Sequence, residues 1–382
     1  MSQKIRVDRE LFLEKIKSVN KFVSDNNIVA AMANIKFTVK ENMMELVAVD
    51  PEAQIKMYMS VKGDDMAMCI NADLLLKTIN LFRENDVQIT KNSETKLTLK
   101  NGKSKYVLTM DTLPEDFPMM KDEGSGDEFL MLQYYLKLGL KFSGKFISDD
   151  SMKVNAHGIN CAEIDNQIIF TGVDNATMCR VNVKPISIAT WTKNIVIPTT
   201  TSSKILSLLD DKGEIYVCRS GDKVVFMADG KTSEKFEVTS VVMNDKFPNS
   251  EKIFTYRTED FMVINNLELR DAVSRLKLYC SPLDKAKRVT IKTNPENMDE
   301  LILNSIDNDF GREGEEIMTV KNNAGKAIDK CFSVDYLLRI LHCIEATDIQ
   351  FFWHESDKVA CFINPIDEEQ NFQFMLIGHT KD

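Results

Sequence analysis

Two short segments, Gly102-Lys103-Ser104 and Gly230-Lys231-Thr232, carry the residue types that end a phosphate-binding loop. In such a loop the backbone amides cradle the phosphates and the lysine reaches them, which requires a further glycine five residues before the second. Leu97 and Val225 stand at those places, so both segments are expected to be hairpin turns. The four histidines, His157, His342, His354 and His379, are scattered, and no Gly-x-Ser-x-Gly occurs. The eight cysteines form no Cys-x-x-Cys and no Cys/His pair at zinc spacing. Reduced thiols in a cytoplasm follow from that usage, rather than disulfides or zinc. No carboxylate pair is marked out for acid–base work. The expectation is therefore a non-catalytic protein with no metal and no cofactor.

The residues that do recur are charged and in register. Ala33–Asp50 aligns without a gap with His157–Asp174, an offset of 124 residues that puts Ile35 on Ile159, Asn42 on Asn166 and Asp50 on Asp174. Val289–Asp307 is a third copy with an insertion in its turn. Asp50, Asp174 and Asp307 each follow a strand-like run, where aspartate serves a turn or cap. Lys77, Lys204 and Arg339 occupy one place in the helical runs beginning after Asn71, Pro198 and Ser333. Three matched cations could touch phosphates without reading bases. The net charge of −10 opposes nucleic-acid binding only if charge is evenly spread, because the local field depends on where charge sits.

A period near 125 is too long for a solenoid and suits a whole domain. The chain of 382 residues then divides near 1–122, 127–250 and 256–382, with polar linkers at Lys121–Glu128 and Asn249–Thr258. The expected class is α+β: three tandem domains, each mostly antiparallel sheet with two helices on one face. Each copy is read as opening with a helix. Asp8 caps a run with Phe12, Ile16 and Val19 on one face, and Phe129–Phe142 and Leu267–Tyr279 follow in the other copies. The second helices are Ala72–Arg83, Thr200–Leu209 and Val334–Ile344. Phe22, Phe82, Phe142, Tyr134 and Tyr135 read as core rather than as base-stacking platforms. Ile35, Phe37 and Val39 alternate with Lys36, Thr38 and Lys40, as a half-buried strand requires. No apolar run reaches membrane-span length, and the first residues lack the apolar core of a secretion signal.

In this order, the segments Asn34-Ile35-Lys36-Phe37 to Val49-Asp50, Ser104-Lys105-Tyr106-Val107-Leu108 to Leu113-Pro114-Glu115-Asp116-Phe117-Pro118, Asp245-Lys246-Phe247-Pro248 and Phe332-Ser333-Val334-Asp335-Tyr336-Leu337 resemble the bacterial DNA polymerase III beta subunit family, the sliding clamps. The resemblance spans essentially the whole chain. It implies half of a closed ring with the DNA clamp fold, made by a head-to-tail homodimer around duplex DNA of any sequence. It implies as partners the replicative polymerase, an ATP-driven clamp loader, and replication and repair proteins with clamp-binding motifs, in the cytoplasm at the nucleoid with no membrane role. The implied DNA-facing residues are Lys15, Lys77, Lys137, Lys141, Lys153, Lys204, Arg270 and Arg339. The implied seam joins Tyr106 and Leu108 of one chain to Leu278 and Tyr279 of the other.

The family also implies a pocket for a short motif of glutamine and apolar residues. The matching positions are Ala156, Val173, Asn175, Ala176, Thr177, Met178, Pro248, Lys252, Ile253, Tyr336, Met375, Leu376 and Ile377. Two stretches depart from the usual pattern there: Asp174-Asn175-Ala176-Thr177-Met178, and the ending Met375-Leu376-Ile377-Gly378-His379-Thr380-Lys381-Asp382. An alternative reading keeps the clamp-like fold as a peptide-binding hub without a DNA role.

Overall fold

Hairpins dominate the chain, and their turns follow from single residues. Glu41 and Asn42 take positive φ (51° and 64°), as do Asp165 and Asn166 (53° and 60°) at the matching place of the second copy. Two consecutive left-handed residues make the tight turn whose twist suits paired strands, and asparagine tolerates that conformation well. The computed structural model describes residues 2–24, 29–121, 126–148, 157–174, 176–229, 235–243, 247–285, 287–354, 360–367 and 371–378.

One order of elements occurs three times: a strand, a helix, a set of hairpin strands, a second helix and three further strands. The first helices are α1 (Arg9–Asn20), α3 (Gln133–Ser143) and α6 (Asn266–Leu276); the second are α2 (Ala72–Leu81), α4 (Thr199–Leu206) and α7 (Val334–Leu341). A short α5 (Ser250–Phe254) lies between the second and third copies. Asp8, Asn71 and Asn265 cap α1, α2 and α6 by accepting from the amides of Leu11, Leu74 and Glu268. Each copy opens with a strand rather than a helix: Gln3–Asp8, Glu128–Leu132 and Phe261–Asn265. The helical reading of Phe129–Phe142 is thus corrected at its start. Phe129 and Met131 alternate with Leu130 and Leu132 and pair with Glu214–Ser220, so the period is two until Gln133.

Contacts group the chain into two units, one of residues 1–137 and 185–244, the other of residues 138–184 and 245–382. The division passes through the second copy because sheets run across the joins between copies. In the first unit Lys235–Val241 pairs with Ala53–Ser60, making one antiparallel sheet from Ser187–Thr190 to Met66–Asn71. A separate five-stranded sheet of that unit ends on Ser104–Thr109. In the second unit Phe372–Leu376 pairs with Thr177–Val183, joining Gly158–Ile164 and Gln167–Val173 to Cys361–Pro365, Asp348–Phe352 and Phe261–Asn265. A four-stranded sheet of that unit ends on Arg312–Thr319.

The helices bury one face each against these sheets. Phe12, Ile16 and Val19 of α1 are buried, as are Leu269, Ala272, Val273 and Leu276 of α6. Helix α3 crosses strand Gln167–Val173 so closely that a Cβ on Gly139 would lie 2.3 Å from the Phe170 ring. Phe22, Phe82 and Phe142 are buried as expected, while Tyr134 is exposed. Among the described residues no helix is long and apolar enough to cross a membrane.

Candidate functional site

A row of mostly buried apolar side chains crosses six strands of the second unit. Val173 stands opposite Met178, Met178 opposite Met375, Met375 opposite Phe362, Phe362 opposite Phe352 and Phe352 opposite Phe261. Antiparallel register puts directly opposed residues on one face, so the row is continuous. Helix α5 and its flanks pack on it through Phe247, Ile253 and Phe254. The Phe254 and Phe362 rings lie 5.4 Å apart, and the Arg180 guanidinium sits 4.9 Å from the centre of the Phe254 ring. Burial pulls the Arg180 guanidinium below its usual range, against the opposing charge of Glu251. The row is buried, with Met178 and Phe362 at 0% and 1% exposure, and the α5 segment covers it; only the outer side of that segment, with Pro248 and Lys252, faces solvent.

The corresponding row at the join of the first two copies is different. Val49 opposes Gln54, and Gln54 opposes Thr239, which opposes Val225. Gln54 and Thr239 replace Met178 and Met375, and the Gln54 side chain accepts from the Met120 amide at 2.9 Å. The apolar strip therefore belongs to one join alone of these two.

Of the pocket residues expected from the sequence, Val173, Met178, Ile253 and Met375 meet in this cluster. Ala176 and Ile377 sit side by side at its end, where the Ile377 amide donates to the Ala176 carbonyl at 2.8 Å. Pro248 and Lys252 are exposed on the α5 segment. Two expectations are corrected. Leu376 is fully buried beside Phe374 in the core, because adjacent strand residues face opposite sides and Met375 takes the strip side. Thr177 is also fully buried, and its hydroxyl donates to Asp174 while accepting from Arg339. Tyr336 is half-buried with its ring 5.0 Å from the Arg339 guanidinium. Ala156, Asn175 and Lys153 lie outside the described residues. Sequence reasoning missed Phe352, Phe362, Phe254 and Arg180; the pair Phe351-Phe352 was a usable signal, but only strand register shows which ring faces the strip.

The repeated aspartates and cations are joined to one another. Asp50 accepts from the amides of Glu52 and Ala53 with Oδ1, both at 2.8 Å, and binds Lys204 Nζ with Oδ2. Asp174 accepts from Ala176 and Thr177 at 2.9 and 2.7 Å with Oδ1, and binds Arg339 with Oδ2. Each cation also lies over an aromatic ring at the same repeat position: Lys204 is 5.4 Å from the Phe22 centre and Arg339 is 4.9 Å from Phe146. These are clasps between copies, so the expectation that Lys204 and Arg339 are open to phosphates is corrected. Asp307 caps its turn in the same way, accepting from Asp309 and Phe310 at 3.1 and 3.2 Å, while its Oδ2 is buried without a hydrogen-bond partner.

Lys15 is 1% exposed on the core face of α1, which corrects its assignment to a DNA-facing surface. Lys77 is exposed and bonds Asp73 of its own helix at 2.7 Å. Lys137 bonds Asp211 at 2.5 Å, Lys141 is exposed beside the Phe142 ring, and Arg270 is half-buried next to Asp271. Of the expected seam, Tyr106, Leu278 and Tyr279 are exposed, while Leu108 faces inward and is buried.

All eight cysteines are free and buried. Burial pushes the Cys69 thiol up to about 11 and Cys361 to about 12, and raises Cys161, Cys179, Cys280 and Cys343 as well. Thiolate, the nucleophilic form, is thereby suppressed at neutral pH. No cluster of three metal-ligating side chains occurs among the described residues.

Comparison with known proteins matches residues 3–121 to the DNA polymerase III beta subunit N-terminal domain and residues 251–377 to the C-terminal domain of the same subunit. The beta sliding clamp of Vibrio cholerae is 19% identical over 377 residues, covering 98% of this chain and 99% of that protein. That of Pseudomonas aeruginosa is 21% identical over 363 residues, covering 93% and 94%. In fold, the chain is similar to the DNA polymerase sliding clamp of Bacillus subtilis (TM-score 0.89, 15% identity, 100% of both chains). It is similar also to a sliding clamp of Pseudomonas aeruginosa bound to griselimycin (TM-score 0.88, 17% identity, 100% of both chains).

Proposed function

Since the chain belongs to the DNA polymerase III beta subunit family, we propose that it is a sliding clamp, a non-catalytic protein that encircles duplex DNA and tethers the replicative polymerase to its template. Catalytic machinery is not needed for this role. Processivity comes from topology, because a closed ring can slide along DNA but cannot leave it sideways. The observation that carries the reading is that both terminal domains of the family are matched on a fold that superposes over its full length on known clamps.

In this reading the chain has three clamp domains, near 1–122, 127–250 and 256–382, and two chains join head to tail. A head-to-tail contact is heterologous, and it gives a finite particle only if the rotation closes. Cations such as Lys141 and Lys77 contribute to a sequence-independent attraction for phosphates that weakens steeply with salt. An ATP-driven loader opens the ring. Polymerase and repair proteins dock short motifs beside α5, where Pro248 and Lys252 are exposed and Ile253 is half-buried over the buried Met178 and Met375. The hub reading without DNA rests only on the altered pocket sequence and the net charge of −10. Electron microscopy of the purified protein tests the proposal. Twofold particles with a central hole wide enough for a duplex are expected, and solid particles would reject it.

A further inference from the structure

One file of side chains across the large sheet of the first unit is apolar where its repeat counterpart is polar. At the join of the second and third copies, Arg180 opposes Gln373, and the file continues through Asn364, Gln350 and Val263. At the join of the first two copies, Lys56 stands at the same distance from its aspartate as Arg180 does, and opposes Glu237. From Glu237 the file runs through Met227, Tyr216 and Leu130. Met227 and Tyr216 therefore hold the places of Asn364 and Gln350.

These apolar side chains are left uncovered. Met227 is 37% exposed and Met43 45%, while Tyr58, Tyr216 and Leu130 are half-buried. They line a cavity of about 760 Å³, the size of a ligand pocket. Every residue that lines it belongs to the first unit. The chain after the first copy packs Phe117 and Met120 against Val47 and Val49 instead. Single exposed apolar residues are ordinary, but a concave group of tyrosine, leucine and adaptable methionine is a contact surface. Its rim is mainly acidic. Glu214 is exposed two residues from Tyr216 on one strand, and Glu237 lies opposite Met227. Glu45 opposes Tyr58 and bonds its hydroxyl. Against these stand Lys56, already paired with Glu237 at 2.6 Å, and the exposed Lys235. The Tyr58 phenol reports that balance, since burial first and then Glu45 and Glu237 push it up.

We propose that this cavity receives an extended segment of a partner protein, with an aromatic or leucine-sized side chain seated on Tyr216 and Met227 and a lysine or arginine two residues away over Glu214. The spacing follows from strand geometry. Tyr216 and Glu214 are about 7 Å apart along their strand, the separation of alternate side chains in an extended peptide. The charge follows from the rim, where a basic residue meets Glu214 and the tyrosine rings also favour a cation. An acidic segment would meet Glu45, Glu214 and Glu237 and be repelled. This site does not depend on the ring, and it is separate from the α5 pocket, which lies in the other unit.

Methionine-methyl NMR on the full-length protein tests this, with the Met43 and Met227 signals assigned by leucine substitution. The probes are acetyl-Ser-Phe-Ser-Lys-Ser-amide and the same peptide with glutamate in place of lysine. The lysine peptide is expected to shift the Met43 and Met227 methyls saturably. It should bind about threefold more tightly than the glutamate peptide, a margin that shrinks as salt is raised. Glu214→Lys should reverse that preference. Tyr216→Ser should weaken the lysine peptide about fivefold while the Met178 and Met375 methyls of the second unit stay in place. Met43 and Met227 methyls that do not move, equal binding of the two peptides, or shifts confined to Met178 and Met375 overturn the proposal. A preference for lysine that survives Glu214→Lys overturns it as well.

Discussion

Removing Asp174 should loosen the join between the second and third copies, and the size of the effect follows from its contacts. The Oδ1 atom holds the amides of Ala176 and Thr177, a cap whose loss costs about 1 kcal/mol. The Oδ2 atom binds the Arg339 guanidinium, a charge-assisted bond of about 1.5–3 kcal/mol. Arg339 keeps 26% of its side chain exposed and retains the Phe146 and Tyr336 rings, so water recovers part of that loss and the lower end applies. Asp174→Ala should therefore cost about 2–3 kcal/mol. Asp174→Asn keeps a capping oxygen and loses only the charge, so it should cost about 1–1.5 kcal/mol. The assay is urea unfolding followed by tryptophan fluorescence, with the two units fitted separately if the transition is not single. A double-mutant cycle with Arg339→Met should show a coupling of about 1 kcal/mol or more. The reasoning fails if Asp174→Ala costs under about 0.5 kcal/mol, or if the cycle shows no coupling.

Four further outcomes are expected. Gly139→Ala should destabilise the protein by about 1–3 kcal/mol, since the added methyl meets the Phe170 ring; an unchanged melting temperature would contradict the close crossing. Lys252→Glu, at an exposed position of α5, should weaken binding of a labelled clamp-binding peptide severalfold in fluorescence anisotropy without changing thermal stability much, and an unaltered Kd would remove α5 from the pocket. Burial first, then the charges of Glu45 and Glu237, hold the Tyr58 phenol up to about 12. Because the folded state keeps that proton more tightly than the unfolded one, this group's contribution to stability should be flat below pH 10 and fall as the pH rises towards 12; Tyr58→Phe should abolish that component, and an identical alkaline profile would refute it. Thiol labelling with a bulky maleimide should modify the native protein far more slowly than the urea-unfolded chain, and rapid native labelling would contradict the burial of all eight cysteines.

Much of the fold was legible because repetition supplies what local pattern cannot. The matched turns at Asn42 and Asn166 and the matched caps and helices located the elements in each copy. Phe129–Leu132 was misread because an apolar tetrad leading into a helix has no period of its own; only its pairing with Glu214–Ser220 makes it a strand. The aspartates were correctly read as turn caps, yet their other oxygen was not foreseen. Lys204 is far from Asp50 in sequence, and a cation on a helix gives no local sign of a carboxylate waiting in the preceding copy. The same blindness gave Lys15 a surface role, since lysine type outweighed its place on the Phe12–Ile16–Val19 face. In the pocket, Val173, Met178 and Met375 were reached through resemblance, whereas Phe352 and Phe362 needed the register of four strands.

The central claim is topological, so the decisive measurement is retention on DNA of two shapes. The chain is loaded by its own loader onto a nicked circular duplex and passed through a sizing column at raised salt, before and after the circle is cut once. Encirclement predicts that protein stays with the circle and is lost when the same DNA becomes linear. Equal retention, or equal loss, on circular and linear DNA would contradict it.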